Sequence, residues 1–94
     1  MYSKENFNSY VNEDAYYYVG SDRYACNISE YIKVSKNVHI LRTSDYYWKY
    51  EDKTDKWYQV NKIGENSYRI KKYTNSRKNY LNFGKSTTYL DPNF

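Results

Sequence analysis

Tyrosine stands at 15 of the 94 positions, nearly as many as the 16 that Leu, Ile, Val and Phe supply together. That ratio narrows the ways in which this chain can build a core. An aliphatic share so low is typical of chains that stay disordered. Aromatic residues reverse that expectation, because each Tyr or Trp buries roughly 150 to 250 Å² while keeping a polar end for a partner or for water. With two Trp and three Phe beside the tyrosines, the sequence predicts a folded domain with a core made of rings. At this length one core is expected, hence a single domain over residues 1–94. Three Gly and one Pro leave no stretch of linker composition to divide it.

The C-terminal half carries the clearest pattern. Tyr46 to Glu51, Lys56 to Lys62 and Ser67 to Tyr73 are rich in aromatic and β-branched residues, separated by turn-like segments, and read as three strands of a meander. A Gly64-Glu65-Asn66 loop, with Asn66 left-handed, sets Val60 opposite Ile70 and keeps Lys62 away from Arg69. A Lys53-Thr54-Asp55 loop sets Asp52 against Lys56, Tyr50 against Tyr58 and Trp48 against Val60. Tyr46, Trp48, Tyr50, Tyr58, Val60, Tyr68 and Ile70 then form a core face. Tyr47, Lys49, Glu51, Trp57, Gln59, Asn61, Arg69, Lys71 and Tyr73 form an outward one. Val38 to Arg42 and Asn79 to Phe83 alternate in the same manner and add two strands.

Upstream, Tyr24, Ala25, Ile28, Tyr31 and Ile32 recur at helical spacing behind the cap candidates Ser21 and Asp22. Strand alternation through Tyr24, Cys26 and Ile28 also fits, but persistence over about three turns favours helix. Phe7, Tyr10, Val11 and Ala15 suggest a second helix, although Tyr16-Tyr17-Tyr18-Val19 has strand composition. The fold expected is therefore α+β: an antiparallel meander of four to five strands in the C-terminal two-thirds, with one or two N-terminal helices. A small all-β barrel is the alternative.

Catalytic patterns are missing from the sequence. It has no glycine-rich phosphate loop, Gly-x-Ser-x-Gly, His-Glu-x-x-His or Cys-x-x-Cys. The lone His39 has no ligand spacing around it and reads as an ordinary strand residue, at the surface or hydrogen-bonded. Cys26, the one thiol, reads as a small buried hydrophobe, since no neighbour declares itself as a base. Glu13-Asp14 and Glu51-Asp52 read as solvated turn residues. Asn27-Ile28-Ser29 matches a glycosylation acceptor by chance. The reading is non-enzymatic, with no metal and no cofactor. No run approaches the roughly 20 apolar residues of a membrane span, and the opening segment is polar, so a soluble, cytoplasmic protein is expected.

Charge is unevenly placed within a net +4. Residues 1–47 hold five bases and six acids, whereas residues 48–94 hold ten and five, and no acid lies between Glu65 and Asp91. In the register above, Trp57, Arg69, Lys71 and Tyr73 share the outward face, where rings can stack while cations meet phosphates or carboxylates. The competing reading places Trp57 beneath an N-terminal helix, as part of a second core. Arg77 and Lys78, in the Thr74–Asn79 loop, would extend the cationic patch. These six residues are the candidate partner-binding site.

Asn, Lys, Tyr and Ile fill 42 positions and Gly, Ala, Pro and Arg only 10. In this style, exemplified by Asp45-Tyr46-Tyr47-Trp48-Lys49-Tyr50, and in its size, the chain resembles small phage and mobile-element proteins, the anti-CRISPR proteins among them. The resemblance implies an inhibitor that occupies a surface or nucleic-acid channel of a larger bacterial nuclease, and it carries over no family residues. The leading reading is thus a small binding protein for a larger protein or ribonucleoprotein. Direct RNA or DNA binding comes second, and an aromatic sheet face can equally pair with its own copy in a homodimer.

Overall fold

The segment Asp22–Ser35 forms one strand of 14 residues, β2, that pairs with a different neighbour along each half. Its first half pairs with β1, Asp14–Val19, from Asn27 opposite Asp14 to Asp22 opposite Val19. Its second half pairs with β3, Val38–Thr43. The meander then continues through β4, Tyr47–Glu51, β5, Lys56–Lys62, and β6, Tyr68–Ile70. A two-residue strand, β7, Asn82–Phe83, flanks β1 on its far side. The computed structural model describes residues 4–65, 67–71 and 80–92. All pairings are antiparallel, in the order β6-β5-β4-β3-β2-β1-β7.

The α+β expectation is overturned. Among the described residues the helical content is a kinked 3-10 segment, Lys4–Tyr10. The helical spacing within β2 has a physical cause. Its register shifts between Ile28 and Glu30, a bulge that leaves Ser29 without an opposite number. A bulge reverses the alternation of faces beyond it, so the side chains packed on the core are Tyr24, Cys26, Ile28 and then Tyr31. Positions 24, 28 and 31 carry the spacing of a helix face, and a bulged strand reproduces it.

The sheet also curls until its ends meet. Tyr80 bridges Tyr58 of β5, and the Leu81 N–H donates to the Trp57 carbonyl at 2.8 Å. The next two residues pair with β1, Asn82 with Tyr16 and Phe83 with Ala15. Four consecutive residues thus span from β5 to β1. Beyond them the chain returns along the free edge of β2, where Arg23 and Tyr89 exchange two backbone hydrogen bonds of 2.7 Å.

One of the two hairpin registers follows the expectation from sequence, and the other is displaced. Val60 faces Ile70, as the charge argument requires. Asn66 lies outside the described residues, and Gly64 takes the left-handed conformation, φ 71°. In the preceding hairpin Glu51 faces Lys56, Tyr50 faces Trp57 and Trp48 faces Gln59. The connection is four residues long, not three, and ends on Asp55 at φ 56°, whose N–H donates to the Glu51 carbonyl at 2.9 Å. This one-residue displacement turns β5 and β6 over relative to β4. Trp57 joins Trp48 inside the sheet, while Tyr58 and Val60 lie on the outer face.

The core is built of rings. Trp48, Leu41 and Ile28 are fully buried at its centre, and Phe7 and Tyr10 of the 3-10 segment close one end over Trp57. Phe7 meets Trp57 and Tyr50, each at a ring separation of 4.9 Å, and Tyr10 stacks on Phe83 at 4.4 Å. Polar ends are matched as the rings are buried. Trp48 Nε1 donates to Thr43 Oγ1 at 3.0 Å, and that hydroxyl donates in turn to the Tyr46 carbonyl at 3.2 Å. Tyr31 and His39 share a hydrogen bond of 2.6 Å.

Candidate interaction surface

Of the six residues singled out from the sequence, the structure describes three, and it places each differently. Trp57, Arg69 and Lys71 do lie on one face, as the Val60–Ile70 register demands, but that face is the inner one. Trp57 is therefore 2% exposed, sealed by Phe7 and Tyr10, and offers no plane on which a partner could stack. Arg69 lies on the edge strand β6 and is exposed. Lys71 is half-buried and holds its Nζ 5.1 Å from the centre of the Tyr46 ring. Tyr73, Arg77 and Lys78 lie outside the described residues.

The outer face holds a cation–tyrosine cluster that sequence reasoning did not assemble. Arg42 of β3 lies directly opposite Tyr47 of β4, its guanidinium 5.6 Å from the ring centre. Lys62 of β5 approaches the same ring to 5.7 Å. Tyr68 of β6 sets its ring edge-on to Tyr47 at 5.7 Å. Attraction of a cation to a ring face holds the charged ends above the sheet without neutralising them. Arg42 also reaches Glu30 at 3.9 Å, with both side chains about half exposed, a pair of little strength in water. The apolar base is firm, since Ile40 and Val60 are buried on this same side. A signal for the cluster was present: once Val60 is set against Ile70, Lys62 must fall opposite Tyr68.

A second feature lies at the end of the core. A cleft of about 270 Å³ opens between the 3-10 segment, the β4–β5 hairpin and residues 80–83, walled by Tyr50, Trp57, Tyr80 and Phe83. Both charged groups at its mouth are engaged. The Tyr50 hydroxyl donates to Asp55 at 2.6 Å, and Lys56 Nζ sits 3.9 Å from the centre of the Tyr80 ring. Burial, and then the bond to Asp55, push the Tyr50 hydroxyl up to about 12.

Chemistry of the nucleophilic kind finds little support in these groups. Burial first, then the Asp45 and Asp14 carboxylates, push the Cys26 thiol up to about 11, the opposite of what a reactive thiolate needs. His39 is buried, with Phe7 edge-on at 5.1 Å and Tyr31 on its Nδ1. Among the described residues no group of three or more His, Cys, Asp or Glu could hold a metal ion. Nor is any helix among them long and apolar enough to cross a membrane. No family model, curated protein or solved structure matches the chain.

Proposed function

We propose that this protein is a non-enzymatic binding module that seats an anionic patch of a larger protein or ribonucleoprotein on the outer face of β3 to β6. The observation that carries the reading is Tyr47, a ring flanked by Arg42 and Lys62 and edged by Tyr68. Tyr and Arg are the residue types enriched where binding energy concentrates. A rigid strand base keeps them ordered before contact, which lowers the entropy lost on association. The resemblance in style to small phage proteins makes a bacterial nuclease, alone or with its guide RNA, the first target to try.

The experiment is affinity capture from bacterial lysate, with and without nuclease treatment, repeated with Tyr47→Ala and Lys62→Ala. The proposal expects one large protein in both wild-type samples and its loss from both variants. Capture that vanishes on nuclease treatment would favour direct RNA or DNA binding. That reading further requires affinity for plain oligonucleotide to fall steeply with salt, by about 0.9 in log K per log unit for each phosphate contact on duplex DNA.

A further inference from the structure

A separate surface lies on the outer face of the sheet's other half, where β1, β2 and the returning C-terminal segment run side by side. Tyr18 pairs with Arg23 across β1 and β2, and Arg23 bridges Tyr89 on its other side. The three side chains form one row across three strands. Both flanking rings are open to water, Tyr18 at 45% and Tyr89 at 50% exposure. Tyr16 sets its ring edge-on to Tyr18 at 6.0 Å. One residue further along each strand, Val19 and Leu90, 44% and 60% exposed, take the opposite pleat position beside Asp22, whose carboxylate accepts from the Asp91 N–H at 2.8 Å.

Arg23 is the fixed point of this row. Its Nε donates to the Thr87 carbonyl at 2.8 Å and its Nη2 to Thr87 Oγ1 at 3.3 Å. One edge of the guanidinium is thereby clamped. Nη1 has no acceptor and Arg23 no carboxylate partner among the described residues. A planar fork held in place by one edge is suited to two parallel hydrogen bonds from the remaining N–H groups to a carboxylate. Little side-chain entropy remains to be lost when the bonds form.

We infer that this row docks a protein partner bearing an Asp or Glu side chain set among apolar groups, with Arg23 taking the carboxylate and Tyr18 and Tyr89 covering its flanks. Charge selects this occupant. A second copy related by a two-fold axis through the row would bring Arg23 towards its own equivalent, and the row itself supplies no acid. A nucleic acid would meet a single cation in this row, where phosphate recognition needs a line of them.

The test is a side-chain NMR titration of the full chain with three probes: short peptides carrying one Glu between leucines, the same peptides with Gln, and oligothymidylate. The proposal expects the Arg23 Nε–H and the Tyr18 and Tyr89 ring signals to move together, with Glu peptides bound about tenfold tighter than Gln peptides, as for a charge-assisted pair. Tyr18→Ala does not touch the Thr87 clamp and should weaken binding about fivefold at unchanged Tm. Tyr47→Ala should leave it unchanged, which keeps this result independent of the function proposed above. Equal binding of Glu and Gln peptides, no saturable binding by the Glu peptides, the same shifts with oligothymidylate, or a self-association abolished by Tyr18→Ala would each overturn the inference.

Discussion

Tyr17 and Tyr18 are neighbours in β1, and their surroundings share almost nothing. Tyr17, 3% exposed, stacks on Tyr24 at 5.5 Å, turns to Trp48 at 5.2 Å and places its hydroxyl 3.4 Å from Asp45. Tyr18 lies on the open side, with Arg23 across from it. The contrast extends over the whole sheet. Inside, rings pack on rings and their polar ends find fixed partners. Outside, at Tyr47, Tyr68 and Tyr18, rings stand beside cations that are still able to bind something else. Tyrosine serves on both sides, and for the adjacent pair Tyr17 and Tyr18 it is pleat position that divides core from surface.

The sharpest way to break this comparison is to remove a ring from the inner side. Trp48 is fully buried, with Tyr17, Tyr46 and Leu41 against it. Trp48→Ala should lower stability by about 3 to 5 kcal/mol, a large part of the roughly 5 to 15 kcal/mol that a domain possesses. Urea unfolding followed by circular dichroism reads the loss. A loss within about 0.5 kcal/mol, the scale of a surface change, would show that the inner rings are not the core.

How far the sequence could lead is visible at the same strands. The three meander strands, the β3 strand and the Val60–Ile70 register are legible, because each rests on local alternation or on a like-charge clash between named residues. Two features are not. The bulge after Ile28 makes a strand imitate a helix, and its signal is a single unpaired residue, Ser29. The extra residue in the β4–β5 connection depends on Asp55 accepting a left-handed backbone, which composition does not announce. That second feature decided the site. It kept Trp57, Arg69 and Lys71 together yet turned all three inwards, and it concealed the alignment of Arg42, Tyr47 and Lys62.

A smaller effect tests whether inner rings depend on their polar partners. Thr43 is buried and relays the Trp48 N–H to the Tyr46 carbonyl. Thr43→Val keeps the shape and deletes the hydroxyl, leaving a buried donor unmatched at a cost of about 1 to 3 kcal/mol. The same measurement applies, and Thr43→Ser should recover much of the loss.

Alkaline pH probes the inner face as a group. Burial raises Cys26 from 9.0 to about 11 and Tyr50 from 10.0 to about 12, and it raises Tyr17 and Tyr31 as well. An acid with a raised folded value keeps its proton in the native state while the unfolded chain has already released it. Its contribution is therefore complete below pH 9 and is lost as pH climbs from about 9 to 12. The urea midpoint should fall across that window, and Cys26→Ala should flatten its lower part. A midpoint constant to about pH 12 would mean that these hydroxyls and the thiol are solvated in the native state.

The least effect on stability belongs to the outer face, and there the sign of the comparison reverses. Tyr68 is half-buried on a three-residue edge strand, where its ring meets Tyr47 edge-on. Removing it deletes one aromatic contact worth about 0.5 to 1.5 kcal/mol, and part of that returns through hydration of the uncovered surface. Tyr68→Ala should accordingly shift the urea midpoint less than Thr43→Val, while weakening capture of the anionic partner more than Thr43→Val does. The two variants, measured for both stability and binding, form a crossed pair. If both properties fell together in each variant, the outer tyrosines would be core residues that happen to be visible, and the cluster around Tyr47 would lose its claim to be a contact surface.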